Sequence, residues 1–578
     1  MTGPAAPKDP EKARPFFYIL KDKDVFGERQ KDGTGIQFIY ESDGRLINSA
    51  QITGNVTDKE ELTLLETVEG FGRLVHSIGV SVETDRPEET AEFVFQMYGK
   101  KDLYGGGTNL TASLKCDGME HRIYLSDYRW TEDDHVPGQI KILFAAPERM
   151  GKVSVRLFLN DGYEAPSEEE DLVIDMHSEE YCGMISRSLL QLGNPYRIRK
   201  AIEKSKAGKE VTLAYIGGSI TQGAGAIPIH TECYAYKSFQ LFQNRFSTQN
   251  NVRFIKAGVG GTPSELGMIR FDRDVLREGE RPDIVVIEFA VNDEGDETKG
   301  VCYESLVRKV LKLPWKPAVV LLFSVFANDW NLQERLRPVG DLYDLPMVSI
   351  RDAVTPQFSL KCGEGRILSK NQFFYDIFHP NNTGHTIMAD CLQYLFERCD
   401  AAEPARVGTF VEGMTEEQIL SEKLSGPAVI GADFERIFLL DKKNRYVGAE
   451  IRAGGFTSTD MELQSVEMDG NLTQTPEFPY NWMYDGSRPQ MPGFEMEITC
   501  KSLFLIFKDS GEMDVGKANV FVNDVYCMTA DPHKNNWLHC NAVLLFWETE
   551  SRFHKVRIAV TEEDRNKKFT ILGFGYTI

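Results

Sequence analysis

The chain has 578 residues, 42% of them hydrophobic and 11% aromatic, with 65 Lys and Arg against 87 Asp and Glu for a formal charge of −22. That length exceeds one ordinary core and points to about three domains of a globular protein. The acidic balance argues against a nucleic-acid partner and disfavours a polyanionic substrate unless a local field overrides the total, and no run of about 18 apolar residues reads as a membrane span.

Met1 to Arg14 is polar and proline-bearing, with no apolar signal core, so a cytoplasmic location is expected unless a signal has been removed. The ten cysteines are scattered without a Cys-x-x-Cys pair and read as free thiols in a reducing interior. From about Pro15 to Met176 the sequence runs in short β-rich segments: Phe16 to Leu20, Gly35 to Tyr40, Ala91 to Met97, Ile140 to Ala145 and Val153 to Leu159. Gly105-Gly106-Gly107 and Asn160-Asp161-Gly162 supply turn chemistry between them, and the acid run Glu168 to Asp171 reads as a solvated loop. This pattern predicts a β-sandwich. Helical stretches at Tyr181 to Leu192 and Tyr196 to Ala207 lead into a region where buried strands alternate with helices. Its elements are Val211–Ile216, Tyr234–Phe246, Val252–Ile255, Glu265–Leu276, Ile284–Phe289, Tyr303–Leu313 and Ala318–Ser324. Near-continuous Val, Ile and Leu runs suit parallel strands covered on both faces, hence a doubly wound three-layer α/β domain with its site at the carboxyl ends of the strands. From roughly Val407 the alternation stops. Phe434–Leu439, Val447–Ile451, Leu503–Phe507, Asn519–Val525, Ala542–Phe546, Lys555–Val560 and Lys568–Tyr576 predict a second β-sandwich, with Val522-Asn523-Asp524 at a turn. The expected domains are 1–180, 181–405 and 406–578.

The chemistry concentrates in the middle domain. Tyr215 to Gly223 reads Tyr-Ile-Gly-Gly-Ser-Ile-Thr-Gln-Gly: a buried strand that stops at two glycines and presents Ser219. Glycines beside a serine permit a tight turn and close approach of a carbonyl to main-chain N–H groups. A serine needs an adjacent base and the base an orienting group. Asp376-Ile377-Phe378-His379 supplies both, with His379 as base and Asp376 fixing its tautomer. Asn382 or Thr383 is placed to cap the helix that follows. Two further strand ends carry Gly260-Gly261 and Asn292-Asp293; a glycine N–H and an asparagine amide are suitable neutral donors for an oxyanion. Taken one at a time, each of these reads more readily as a turn, loop or cap than as a catalytic group. Asp293 is assigned a structural role, holding loop backbone.

Together these segments resemble the SGNH hydrolases, the GDSL-like serine esterases, over roughly Ala201 to Arg398. The resemblance makes Ser219 the nucleophile, Asp376 and His379 the remainder of a triad, and Ser219, Gly261 and Asn292 the oxyanion-stabilising set. Two positions depart from the family's usual residues: Gly218 where aspartate is frequent, and Ala290 where glycine is frequent. The Gly-Gly-Ser-Ile-Thr form is similar to the branch containing carbohydrate O-acetylesterases.

Sugars are held by aromatic faces and amides, so Trp330, in a loop expected on the catalytic edge, is the leading substrate platform. Tyr375 is placed similarly, or else buttresses the His379 loop. Asn481 to Tyr484 and Asn536 to His539 hold tryptophans readable either as carbohydrate contacts or as packing. The histidines form no ligand cluster, His230 reads as a plain loop residue, and neither a metal nor another cofactor is expected. The sequence therefore predicts a serine esterase that removes acetyl groups from plant-type oligo- or polysaccharides through an acetyl-enzyme. The alternatives are a lipid or thioester hydrolase on the same scaffold and a carbohydrate-binding protein with an inactive hydrolase domain. The sugar backbone and the oligomeric state are left open.

Overall fold

A computed structural model describes residues 8–40, 45–101, 105–166, 171–277, 279–402, 414–471, 473–535 and 537–578. Glu168 to Glu170 of the acid run, Asn536 and the expected boundary at 405/406 lie outside the described residues. Alternating burial along Phe16–Phe26 and Met150–Leu159 marks strands with one face on a core. With Val75–Thr84 and His121–Tyr124 they build a four-stranded antiparallel sheet. A five-stranded antiparallel sheet, ordered Glu28–Arg29, Gly35–Tyr40, Asp134–Phe144, Thr90–Gly99, Asn109–Lys115, packs against it. Ile19, Ile78 and Leu157 of one sheet share a core with Phe93, Phe95 and Ile140 of the other, which is a sandwich. Helices Arg45–Ile52, Lys59–Leu64 and Val68–Leu74 add Leu46, Leu62 and Phe71 to this core. They are eight residues or fewer, too short for their period to stand out in the sequence.

The central sheet has six strands: β1 (Leu189–Gln191), β2 (Val211–Gly217), β3 (Val252–Gly258), β4 (Ile284–Glu288), β5 (Ala318–Phe323) and β6 (Met347–Ser349). They lie in the order β1-β6-β5-β4-β2-β3, parallel except for the edge strand β1. Along β2 the side chains alternate between two cores: Val211, Leu213 and Tyr215 enter one, Ala214 and Ile216 the other. Helices α1 (Tyr196–Lys206), α2 (Tyr234–Phe246), α6 (Ile350–Phe358) and α7 (Asn382–Ala401) cover the first face, and α3 (Ser264–Phe271), α4 (Val301–Leu311) and α5 (Gln333–Tyr343) cover the second. The three-layer α/β expectation holds, with three local differences. The single helix expected over Tyr181 to Leu192 is a helix over Glu179–Ser186 followed by β1, because Leu189 and Gln191 pair with β6 and the ladder overrides helical propensity. The expected helix Glu265–Leu276 ends as α3 at Phe271 and continues as one wide turn over Asp272–Leu276. Helices α5 and α6 were hidden by Pro338 and Pro356 inside them, and β6 has only three residues.

The C-terminal region is rich in strands, with a two-stranded ladder of Ser465–Glu467 and Gln474–Pro476 beside a larger sheet. Phe494–Asp509 pairs with His539–Val560 along one edge, and with Ala449–Arg452 and then Phe569–Thr577 along the other. The result is one branched eight-stranded sheet around Trp482, Phe494, Ile558 and Phe574. The two strands expected at Ala542–Phe546 and Lys555–Val560 are the ends of one 22-residue strand. Asn523 and Asp524, both with positive φ, form the two-residue turn between Ala518–Val522 and Val525–Ala530. Phe434, Phe504, Ile506, Cys540 and Leu572 pack into the same core as Ile269 of α3 and Leu306 of α4. This region thus shares a core with the central domain through apolar burial.

Candidate active site

Strand β2 runs to Gly217, and Ser219 opens a single helical turn, Ser219–Gln222. A Cβ at position 218 would lie 2.2 Å from Asn292 Oδ1, so the asparagine side chain packs directly on the Gly218 backbone. That contact leaves no room for a side chain at position 218. Beneath the turn, the fully buried Arg270 donates to the carbonyl oxygens of Gly217 at 2.8 Å and Ala257 at 2.6 Å. One guanidinium therefore ties together the strand ends that lead to Ser219 and to Gly260-Gly261.

His379 Nε2 lies 3.0 Å from Ser219 Oγ, and His379 Nδ1 lies 2.9 Å from Asp376 Oδ2. The other carboxylate oxygen, Asp376 Oδ1, accepts from the backbone N–H groups of Phe378 at 2.8 Å and His379 at 2.9 Å. The short Asp-x-x-His turn thus closes on its own carboxylate and presents both side chains to the same side. The carboxylate accepts Nδ1–H, which leaves the Nε2 lone pair for the serine hydroxyl, the tautomer assigned from the network. Asn381 caps α7 through Gly384 N–H at 3.0 Å, one residue earlier than expected. Asn382 is engaged elsewhere: its amide exchanges two 2.7 Å hydrogen bonds with the backbone of Ile227.

Opposite the histidine stands the Gly260-Gly261 loop. Gly261 has φ +71°, a conformation glycine adopts without steric cost. Gln222 Oε1 accepts from Gly260 N–H at 2.8 Å. The C-terminal region supplies two further holds: Gln464 Nε2 donates to Gly260 O at 2.9 Å, and His539 Nε2 to Gly261 O at 3.0 Å. Asn535 Nδ2, 3.2 Å from His539 Nδ1 and 2.7 Å from Asp509 Oδ2, fixes the imidazole orientation, and burial keeps that histidine neutral by lowering its pKa. Among the described residues the N–H groups of Ser219 and Gly261 donate to no protein acceptor. Asn292 stands against this turn with its Oδ1 buried and unpartnered. Asp293 holds backbone through Ser264 N–H at 2.7 Å, at the start of α3.

A buried carboxyl underlies the site. Glu288, at the end of β4, accepts from Thr221 Oγ1 at 3.0 Å, and burial raises its pKa from 4.5 to about 7. Asp293 and Glu265 are raised in the same way, to about 8 and about 7. A carboxyl whose pKa is higher folded than unfolded binds its proton more tightly in the folded state. Its contribution is most favourable below pH 4.5 and is lost as pH rises toward 7, by up to about 3 kcal/mol for Glu288. Glu288→Gln is therefore expected to gain thermal stability over wild type progressively between pH 5 and pH 8. Calorimetric scans at both ends of that range check this; a difference independent of pH contradicts the assignment.

The aromatic candidates separate clearly. Trp330 is half-buried and stacks on Phe326 at 5.7 Å; Phe326 meets Phe378 edge-on at 5.0 Å, and the Phe378 ring is 6.1 Å from that of His379. Trp330 thus ends an aromatic shelf that starts beside His379. Tyr375 faces away, packed against the N-terminal core, while its N–H donates to His379 O at 2.8 Å. That position buttresses the loop. Trp482 is core, at 6% exposure. Trp537 is 43% exposed, packs on His539 with the rings tilted and their centroids 4.6 Å apart, and borders Gly261. Trp537 was singled out in the sequence as a contact or packing residue, but the holds of Gln464 and His539 on the glycine loop had no signal, since they lie more than 200 residues from the glycines they touch.

Residues 215–387 match the model of the GDSL-like lipase/acylhydrolase family. No curated protein sequence matches the chain. Among solved structures, a two-domain esterase (CEX) active on acetylated mannans aligns with TM-score 0.54 at 24% identity, over 68% of this chain and 98% of its own. The same enzyme co-crystallised with mannopentaose aligns at TM-score 0.53 and 23% identity over the same shares. A catalytic mutant of an acetylxylan esterase from Geobacillus stearothermophilus covers 33% of this chain and 95% of its own, at 17% identity and TM-score 0.25. About a third of the chain thus has no counterpart in the two-domain esterase.

Proposed function

We propose that the protein is a serine esterase removing O-acetyl groups from oligo- or polysaccharides, a reading supported by the match of residues 215–387 to the GDSL-like lipase/acylhydrolase family model. The observation that carries the reading is the unbroken chain from Ser219 Oγ through His379 to Asp376, at 3.0 and 2.9 Å. His379 Nε2 takes the hydroxyl proton as Ser219 Oγ attacks the acetyl carbonyl, and Asp376 stabilises the resulting imidazolium. Charge developing on the carbonyl oxygen meets the N–H groups of Ser219 and Gly261 and the Asn292 amide. His379 then protonates the departing sugar hydroxyl, and water repeats the sequence on the acetyl-enzyme.

The carbohydrate assignment draws on the aromatic rim of Trp330, Phe378 and Trp537 around the serine, and on the fold shared with an esterase active on acetylated mannans. Acetate release from acetylated mannan, xylan, xyloglucan and pectin oligosaccharides, beside a long-chain acyl ester, tests it. Turnover of one of these glycans is expected. Hydrolysis of the long-chain ester alone would replace this reading with a lipid or thioester hydrolase.

A further inference from the structure

Between the N-terminal sandwich and the segment that leads to His379 lies an open cleft of about 470 Å³. One wall is the strand carrying Phe16 and Tyr18, together with helix Arg45–Ile52 and the turn after it; the other is the 327–328 loop and residues 358–377. The helix and turn present three carboxamides, Asn48, Gln51 and Asn55. None of the three takes a protein partner among the described residues. Asn48 and Gln51 are one helical turn apart and therefore share a face. Across the cleft stand Asn328 and the cations Arg366 and Lys370. Those cations are balanced: Arg366 lies 3.6 Å from Asp171, and Lys370 3.1 Å from Asp329. Lys21 and Lys361 also line it, Lys21 over the Tyr18 ring, so the cleft offers oriented carboxamide donors and acceptors and an aromatic ring among cations of which Arg366 and Lys370 are ion-paired.

The cleft adjoins the segments that carry His379 and the aromatic shelf. Ile377 lines it and is two residues, at most about 7.6 Å in Cα path, from His379. Ala327, also lining it, donates its N–H to Ile377 O at 2.9 Å, and Asn328 sits between Phe326 and Trp330 of the aromatic shelf. Asn328 thus joins the cleft, along the chain, to the shelf of Trp330, Phe326 and Phe378 that ends beside His379.

We propose that this cleft is a subsite for a neutral oligosaccharide segment, gripping sugars several units away from the one whose acetyl group reaches Ser219. Carboxamides match the paired donor and acceptor character of vicinal hydroxyls, and an aromatic face suits the apolar side of a sugar ring. The N-terminal sandwich then acts as half of a substrate groove. The proposal rests on the carbohydrate reading of the active site, but its test separates the two.

The test uses the full chain and the double variant Asn48→Ala/Gln51→Ala, in which alanine preserves helix propensity. On a short acetyl ester the variant is expected to match wild type in kcat. For acetylated tetra- to hexasaccharides its KM is expected to rise about tenfold, the loss of two hydrogen bonds to hydroxyls, erasing the advantage of long over short substrates. In parallel, Ser219→Ala with and without the cleft substitutions is titrated calorimetrically with unacetylated manno- and xylo-oligosaccharides. Binding that weakens with the cleft substitutions supports the subsite. Equal binding and equal KM overturn it while leaving the esterase reading intact. Preferential binding of uronate-bearing oligosaccharides overturns the neutral assignment. Absence of turnover on every acetylated glycan removes the esterase reading, and the titration alone then decides the cleft.

Discussion

Asp376→Asn is expected to lower kcat on the order of 10⁴-fold while changing KM only slightly. The geometry makes this substitution unusually clean. Oδ1 accepts the Phe378 and His379 N–H groups, and an asparagine oxygen can keep both bonds and hence the turn. The amide nitrogen is then left facing His379 Nδ1, where Oδ2 stood at 2.9 Å. Two donors cannot face each other, so the imidazole shifts its proton to Nε2 and loses the lone pair that faced Ser219 Oγ. The backbone, the shelf and the cleft are untouched, which is why binding is expected to survive. Steady-state kinetics on an acetyl ester check it; a kcat within a few-fold of wild type would show that Asp376 does not orient the base.

Gly261→Ala is the second large expectation, a loss of about 10²- to 10³-fold in kcat. At φ +71° an alanine is strained, and its Cβ would stand 2.8 Å from Trp537 Cζ2 and 2.9 Å from His539 Nε2. Trp537 is partly exposed and has room to yield. His539 does not, because its Nε2 donates to Gly261 O and its Nδ1 is held by Asn535. Relief comes from moving the loop, which withdraws the Gly261 N–H from the oxyanion position. Unchanged kcat would mean that this N–H takes no part in the reaction. The same geometry assigns work to both outer domains. The C-terminal sheet holds the glycine loop through Gln464 and His539, while the N-terminal sandwich holds the base loop through Tyr375 and through Lys23, whose Nζ donates to Phe374 O at 2.5 Å. Each half of the site is braced from a different side.

What the sequence revealed follows from how locally each feature is encoded. The parallel strands announce themselves as buried Val, Ile and Leu runs, and Asp376 and His379 lie within one turn of each other, so their relation was legible. Ser219, Gly261 and Asn292 were readable as strand ends because glycine and polar residues interrupt apolar runs there. Glu288 looked like an ordinary strand residue, and its burial beneath Thr221 depends on packing that periodicity does not carry. Arg270 was unremarkable inside the helix expected over Glu265–Leu276, though it clamps the ends of β2 and β3. His539 and Gln464 act on glycines in a different domain, and no local pattern links them. The branched C-terminal sheet escaped for a related reason: strands such as Phe494–Asp509 change partners along their length, and pairing is not written in alternation.

The most direct test of the account is acetate release from the preferred acetylated oligosaccharide by wild type beside Ser219→Ala. The variant removes only the oxygen that stands 3.0 Å from His379 Nε2 and disturbs no other hydrogen bond of the triad. The account predicts steady release by wild type and a loss of at least about 10⁴-fold in the folded variant. Release by Ser219→Ala at the wild-type rate would contradict it.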